Sequence, residues 1–263
     1  MKKKSLWLAL PLAAGLMLTA CGGSNDAPAE NADAASAAPS TQSSSSASSS
    51  PAASPSQAAS SPAAAGAALT NAQLKKVVAG YFDPEDKAQV FGSKELQAQA
   101  GAAGAVVSDA EFTPAKCGIA NGIDVEAELK KSNLAVAMVA NPKNPSQLVT
   151  VTAGSAKDAA QANEAFKKSI DAFDGCEKMT MKTMGLTVKV NSTLKDVDVS
   201  APGKLAVITK TEVKGQKIPG ATVMVSDNGL QVQMQAQGME IDDASLQDMA
   251  DGAQDLLDSM KSL

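Results

Sequence analysis

Histidine and arginine are both absent from this chain of 263 residues, because all 23 of its basic residues are lysine. Without histidine, neither a Ser-His-Asp nor a Cys-His nucleophile can be assembled, and no imidazole can bind a metal. Without arginine, no side chain can clamp a carboxylate or phosphate through two parallel hydrogen bonds. Aromatic residues make up only 3% of the chain and its formal charge is −5, which argues against nucleic-acid binding. We therefore expect a protein that is not an enzyme, needs no cofactor and binds no nucleic acid.

The first twenty residues have the three parts of a bacterial signal peptide. Three lysines precede an apolar run from Leu6 to Leu18, and this run is too short to span a bilayer. The next residues, Leu18-Thr19-Ala20-Cys21, resemble the lipobox of bacterial lipoproteins. The resemblance implies cleavage before Cys21 and acylation of its thiol, and two acyl chains anchor a protein stably. An ordinary secretory signal with an incidental cysteine is the alternative. We predict that residues 1–20 are a signal peptide and that Cys21 anchors the protein on the extracytoplasmic face of the cell membrane.

A long segment follows that contains no leucine, isoleucine, valine, methionine or aromatic residue, from residue 22 to residue 68. A chain of this composition cannot bury enough apolar surface to offset its conformational entropy. We therefore predict that residues 21–68 comprise the lipidated cysteine and a disordered tether rich in alanine, serine and proline. A flexible tether of this length has a root-mean-square span of about 40 Å.

Residues 69–263 are enough for one domain with a hydrophobic core, and their patterning predicts an α+β fold. Helices are predicted from Thr70 or Asn71 to about Phe82, from Glu85 to Ala100, from a cap at Ser155 to Phe173, and after Asp243. Strands are predicted at 134–139, 148–152, 178–182, 186–199 and 205–213, and on both sides of Asn228-Gly229. The expected architecture is an antiparallel sheet of about six to seven strands covered by helices.

The hairpin around Asn228-Gly229 is the clearest element, because both residues tolerate the positive φ of a type I′ turn. This turn places Val225 opposite Val232 and Val223 opposite Met234. Glutamines alternate with apolar residues from Leu230 onward. One face of this strand is therefore expected to be buried and the other polar.

Two cysteines lie in the domain, Cys117 and Cys176. The predicted compartment is oxidising, and two cysteines allow only one pairing. We therefore predict a single structural disulfide between them; the alternative is a pair of buried free thiols.

Three methionines form a Met-x-Met-x-x-Met cluster at Met179, Met181 and Met184. Thioethers are soft ligands that select copper(I), so a copper site is one interpretation. Met179 and Met181 also alternate onto one face of a predicted strand, which is typical of core packing. Core packing is the preferred interpretation.

Two short motifs occur in serine β-lactamases and penicillin-binding proteins, Ser192-x-x-Lys195 and Ser226-Asp227-Asn228. In those proteins the serine opens a helix and a Lys-Thr-Gly follows on a strand. Here the first motif falls in a predicted strand or turn, the second is a hairpin turn, and the sequence contains no Lys-Thr-Gly. We interpret both motifs as chance.

The order of features resembles one known family. Pro114-x-x-Cys117 precedes two strands, a helix with the pattern Ser155-x-x-x-Ala159-x-x-x-x-x-x-Phe166, and Cys176 at the end of that helix. Together with the lipobox and tether, this resembles the PknH-like extracellular (sensor) domain family and its free-standing lipoproteins. The resemblance implies an α+β sheet with a cleft and a role in recognising an extracellular ligand.

The sequence thus predicts a cell-surface lipoprotein with a non-catalytic ligand-binding or sensor-like domain. Its expected partners are the membrane, through the lipidated N-terminus, and an unidentified small molecule or envelope protein. Two alternatives are a carrier for a lipid or other hydrophobic molecule and a copper(I)-handling protein that uses the methionine cluster.

Overall fold

A computed structural model describes residues 68–98, 110–118, 130–183 and 185–263. The predicted signal peptide, Cys21, the predicted tether up to residue 67 and Met184 lie outside these ranges. Within the described ranges, no helix combines the length and the apolar character needed to cross a membrane.

The domain is built on one antiparallel sheet of nine strands. The strands are β1 (Gln89–Gly92), β2 (Glu111–Thr113), β3 (Ser132–Asn141), β4 (Asn144–Ala156), β5 (Lys178–Thr183), β6 (Leu186–Lys195), β7 (Gly203–Val213), β8 (Gln216–Asp227) and β9 (Leu230–Gln237). Their spatial order is β1-β3-β4-β9-β8-β7-β6-β5-β2. The two shortest strands therefore form the two edges of the sheet, and short edge strands limit unwanted pairing with other chains.

Three α-helices of nine or more residues accompany the sheet in the described ranges: α1 (Asn71–Ala79), α2 (Ala159–Phe173) and α3 (Asp243–Lys261). Each begins at a residue whose side-chain oxygen accepts a hydrogen bond from the first turn. These caps are Thr70, Asp158 and Asp242, and they satisfy backbone N–H groups that the helix itself leaves unpaired. Residues 93–98 are also helical, and Pro84–Asp86 and Ala115–Cys117 form single 3₁₀ turns.

Helices cover the two faces of the sheet unequally. We call the face that carries Val223, Val225 and Val232 the rear face; α1 and α3 pack on it and enclose the main hydrophobic core. The opposite, front face carries Met224, and α2 packs there through Phe166 over a smaller cluster. The strand residues of that front cluster are Leu205, Val207 and Met224. A larger part of the core therefore lies behind the sheet than in front of it.

The predicted α+β class, with an antiparallel sheet covered by helices, is confirmed, but the predicted strand count was too low. The segment from Glu85 to Ala100 was predicted as helix, and its residues Gln89–Gly92 instead form β1. Strand β2, Glu111–Thr113, was not predicted at all. Strands of three and four residues are too short to show a period-two pattern, so only their pairing partners identify them.

The predicted cap at Ser155 was wrong. Strand β4 continues to Ala156, Ser155 is buried within it, and its Oγ accepts a hydrogen bond from the Leu69 N–H at 2.9 Å. Asp158 caps the helix instead, accepting from the N–H of Gln161 at 3.0 Å. The hydroxyl therefore connects the chain at Leu69 to strand β4.

The predicted hairpin and disulfide are both confirmed. Asn228 and Gly229 have φ angles of 47° and 79°, and Val225 pairs with Val232 as expected. The sulfurs of Cys117 and Cys176 are bonded, and these residues are only 5% and 7% exposed. The bridge joins the 3₁₀ turn after β2 to the segment that follows α2.

Candidate functional site

Strand β9 places a ladder of glutamines on the front face: Gln231, Gln233, Gln235 and Gln237. The alternate residues Val232, Met234 and Ala236 are buried on the rear face. The glutamines were expected on a polar face, yet Gln233 is only 3% exposed and Gln237 only 8%. These two amides are therefore buried polar groups and do not belong to a solvated surface.

The side-chain oxygens of both buried glutamines lack a hydrogen-bond partner within the described residues. Oε1 of Gln233 and Oε1 of Gln237 are each fully enclosed and accept no hydrogen bond. Leaving a buried acceptor unpaired costs about 1–3 kcal/mol, and most buried polar groups in proteins are paired. In the described part of the chain, Oγ of Ser132 shares this property with the two glutamine oxygens, and of the three residues Gln237 lines a cleft.

A small cleft, which we call the glutamine cleft, lies on the front face beside Gln237. Its lining is Met179, Val190, Thr209, Thr211, Ile218, Pro219, Gly220, Thr222, Gln235, Ala236 and Gln237. These residues come from five adjacent strands, β5 to β9. The ladder aligns Gln237 with Gly220 and Gly220 with Thr209, and it aligns Gln235 with Thr222.

Position 220 carries no side chain because the neighbouring backbone of β9 comes too close for one. A Cβ added to Gly220 would lie 2.8 Å from the carbonyl oxygen of Ala236 and 3.3 Å from Oγ1 of Thr209. The cavity volume is about 30 Å³, close to the volume of one water molecule in the liquid. As described, the cleft therefore accepts a single polar group, such as a hydroxyl or an amide N–H.

The chemistry of the cleft is neutral. Its polar side chains are amides and hydroxyls, and its apolar rim is formed by Met179, Val190 and Ile218. Among the residues that the structure describes, no ionisable side chain lines it. Amide and hydroxyl groups recognise hydrogen-bonding partners by geometry, whereas proton transfer requires an acid or base of suitable pKa.

Two of the predicted copper-binding methionines lie on the front face of β5. Met179 pairs with Val190 and Met181 with Val188, both methionines are partly buried, and Met179 lines the glutamine cleft. Met184 lies outside the described residues. Within the described part of the chain, no group of three or more His, Cys, Asp or Glu residues is placed to hold a metal ion.

The two β-lactamase-like motifs are not brought together. Ser192 and Lys195 lie three residues apart on β6, so their side chains project from opposite faces of the sheet. Nζ of Lys195 instead donates to Asp243 at 2.7 Å. Asp227 and Asn228 belong to the β8–β9 hairpin. A serine activated by a neighbouring lysine is therefore not formed by these residues.

A wider, open hollow of about 440 Å³ lies at the ends of β6 and β7. Its lining is Gly185, Leu186, Thr187, Lys189, Glu212, Lys214 and Gly215. Four of these seven residues carry polar or charged side chains and the hollow is open to solvent, whereas a lipid carrier needs an enclosed chamber with apolar walls. Neither this hollow nor the glutamine cleft is such a chamber.

No protein-family model matches the sequence, and no curated protein matches it. The structure is similar to the extracellular domain of PknH from Mycobacterium tuberculosis, with 14% identity, a TM-score of 0.46, and coverage of 75% of this chain and 99% of that one. It is also similar to an Rv0999 ortholog from Mycobacterium smegmatis, with 12% identity, a TM-score of 0.37, and coverage of 72% and 95%. These sequence identities and TM-scores are too low to support a functional conclusion. The proposed function therefore rests on the residues of the cleft.

Proposed function

We propose that this protein is a membrane-anchored, extracytoplasmic lipoprotein whose domain binds a neutral, hydrogen-bonding ligand at the glutamine cleft. The observation that carries the proposal is the buried amide oxygen of Gln237, a residue that lines the cleft and whose oxygen has no hydrogen-bond partner among the described residues. A ligand that donates a hydrogen bond to this oxygen would repay the cost of leaving it unpaired. The role is recognition without catalysis, as in a sensor or receptor.

The neutral lining decides the class of ligand. A charged ligand would lose hydration on entering the cleft without meeting an opposite charge. An uncharged hydroxyl or amide loses less hydration and gains a partner of matching geometry. The ligand is therefore a polyol, a neutral sugar or an amide-bearing group, presented by a small molecule or by an envelope protein.

The size of the hollow sets how the ligand is held. A cavity of about 30 Å³ encloses one functional group, while pockets for drug-sized ligands measure roughly 300–1,000 Å³. The remainder of the ligand then lies outside the hollow, on the front face of the sheet. A shallow contact of this kind predicts weak, reversible binding that suits sensing better than storage.

The experiment that tests the ligand site is an NMR titration of the chain labelled at its glutamine amides. Neutral mono- and disaccharides are added in turn, and acidic sugars serve as comparators. We expect the side-chain amide signals of Gln235 and Gln237 to shift with a neutral sugar and to stay unchanged with its acidic counterpart. Glutamine amides that do not move with any neutral compound would remove the cleft as the binding site.

A matched pair of variants separates binding from folding. Gln237→Met removes an amide that lines the cleft, and Gln231→Met makes the same change on the same strand and face outside the lining. Only the first should lose the response to the sugar. Equal loss in both variants would show that the response depends on β9 in general.

The anchor has its own test. Cys21→Ala should abolish incorporation of labelled palmitate and release the protein from the membrane fraction. A variant that remains in the membrane fraction without palmitate would remove lipidation from the proposal and leave the ligand site untouched.

A further inference from the structure

The part of the rear face that α3 does not cover carries exposed lysines instead of core residues. Toward β5 it carries five exposed lysines, which we call the lysine face: Lys178, Lys182, Lys189, Lys210 and Lys217. All five project from the rear because they alternate with front-face residues such as Met179 and Val190. They come from four adjacent strands, β5 to β8.

Strand register brings these lysines close together. Lys178 aligns with Asn191, and Asn191 with Lys210; in the next row Lys189 aligns with Glu212, and Glu212 with Lys217. With neighbouring strands about 4.8 Å apart and alternate residues about 7 Å apart, the group covers roughly 15 Å by 13 Å. The lysine face is therefore a compact surface.

Acidic residues neutralise only part of this charge. Among the described residues that are aligned with the five lysines across neighbouring strands, two are acidic. Glu111 lies opposite Lys182, and Oε1 of Glu212 lies 3.3 Å from Nζ of Lys189. Five lysines and two glutamates leave a net charge of +3 on this face. The whole chain has a formal charge of −5, so this concentration of positive charge runs against the composition.

We propose that the lysine face docks on an anionic phospholipid surface. Each lysine held near an anionic membrane contributes about 1 kcal/mol of attraction, and a compact group lets several lysines act together. Among anionic partners, the membrane is favoured because the predicted anchor at Cys21 keeps the domain beside it. The choice of a membrane as the partner rests on the anchoring proposed above. The positive charge of the face is independent of that anchoring.

The predicted tether is long enough for this docking. The described chain starts beside β4, where the Leu69 N–H bonds to Ser155, and the lysines of β6 lie four strands away in the sheet. That separation is about 20 Å at the usual strand spacing, whereas the tether spans about 40 Å. Docking through the rear would turn the front face, with its glutamine cleft, away from the membrane.

The experiment uses the mature chain without its anchor, residues 22–263, and measures co-sedimentation with two kinds of vesicle. One kind contains phosphatidylcholine alone, and the other contains equal parts of phosphatidylglycerol and phosphatidylcholine. We expect binding to the anionic vesicles at low salt and its loss at high salt, since salt screens such contacts. Equal binding to both kinds of vesicle, or binding to neither, would overturn the proposal.

Two variants of equal charge change locate the contact. One carries Lys178→Gln, Lys189→Gln, Lys210→Gln and Lys217→Gln, and the control carries Lys76→Gln, Lys94→Gln, Lys143→Gln and Lys167→Gln, which are also exposed. The first variant should bind the anionic vesicles at least about tenfold more weakly, because it removes four lysines that each contribute about 1 kcal/mol of attraction. The control should bind within about twofold of the natural chain. Equal loss in both would mean that net charge, and not this face, is responsible.

Discussion

Gln237 and Gly220 are directly paired across β9 and β8, so an amide side chain stands beside a position that has no side chain. Both residues line the small hollow to which Thr209 also contributes. A methyl group at position 220 would lie 2.8 Å from the carbonyl oxygen of Ala236, so the close approach of β9 requires glycine there, and the amide oxygen of Gln237 beside it stays unpaired. This arrangement is the strongest sign of a binding site on the described part of the chain.

The first prediction concerns stability at Gln233. Gln233→Met replaces an amide with an enclosed, unpaired oxygen by an apolar side chain of similar length. Because the unpaired acceptor destabilises the folded state, we expect the free energy of unfolding to rise by about 1–3 kcal/mol. Chemical denaturation measures it, and Gln231→Met should change it by less than about 0.5 kcal/mol. A loss of stability in Gln233→Met would show that the amide is paired in the folded protein.

The second prediction compares two turn glycines that have almost the same φ, 79° at Gly229 and 80° at Gly215. In Gly215→Ala the new Cβ would have no atom within 4 Å. The free energy of unfolding should fall by about 1–2 kcal/mol, because alanine disfavours the left-handed backbone conformation. In Gly229→Ala the new Cβ would lie 2.8 Å from Cα of Ala159. This clash with the start of α2 should lower the free energy of unfolding by about 1–3 kcal/mol beyond the loss in Gly215→Ala. Equal losses in denaturation experiments would mean that α2 does not hold the hairpin.

Local sequence was sufficient for some elements and not for others. The β8–β9 pairing follows from Asn228-Gly229, since a two-residue turn of that type determines the register on both sides. The first and last helices follow from their capping residues and apolar spacing. In each case the information lies within about twenty residues of chain.

The candidate site could not be predicted in this way. Gln233 lies in the interior of the sheet, where it pairs with Thr152 and Met224, and Met224 packs in the front cluster under Phe166 of α2. The pairing with Thr152 joins residues that are distant in the sequence, and alternation of glutamine with apolar residues is equally typical of a solvated strand face. The same is true of the lysine face, whose residues meet only through the register of β5 to β8.

The third prediction concerns the disulfide between Cys117 and Cys176. Replacing both cysteines by alanine frees a loop with a sequence separation of 59 residues, and the chain-entropy model gives a loss of about 4 kcal/mol. The effect should be measured as the change in the unfolding midpoint in denaturant. Because both residues are buried, a mild reductant should produce the same loss only slowly, at the rate at which the segment opens. Fast reduction of the folded chain would contradict this burial.

The last prediction concerns the pH dependence of the contact between Glu95 and Lys75. Oε1 of Glu95 accepts from Nζ of Lys75 at 2.8 Å, and Oε2 accepts from the N–H of Gly92 at 3.0 Å. The hydrogen bond from Lys75, followed by backbone N–H groups, lowers the pKa of Glu95 from 4.5 to about 2. Because the pKa is lower in the folded state, the ionised carboxylate stabilises the folded protein fully at pH values above the ordinary pKa of 4.5. This stabilisation is lost as the pH falls through the folded-state pKa of about 2.

Glu95→Gln should therefore be less stable than the natural chain at neutral pH and equal to it near pH 2. A carboxyl-detected NMR titration gives the pKa of Glu95 directly, and Lys75→Met should raise that pKa toward its ordinary value because the largest cause of the shift is removed. A Glu95 pKa that stays low in Lys75→Met would assign the shift to the backbone N–H groups instead. Because Glu95 lies on the surface, high salt should reduce the lysine contribution while leaving the Gly92 hydrogen bond in place.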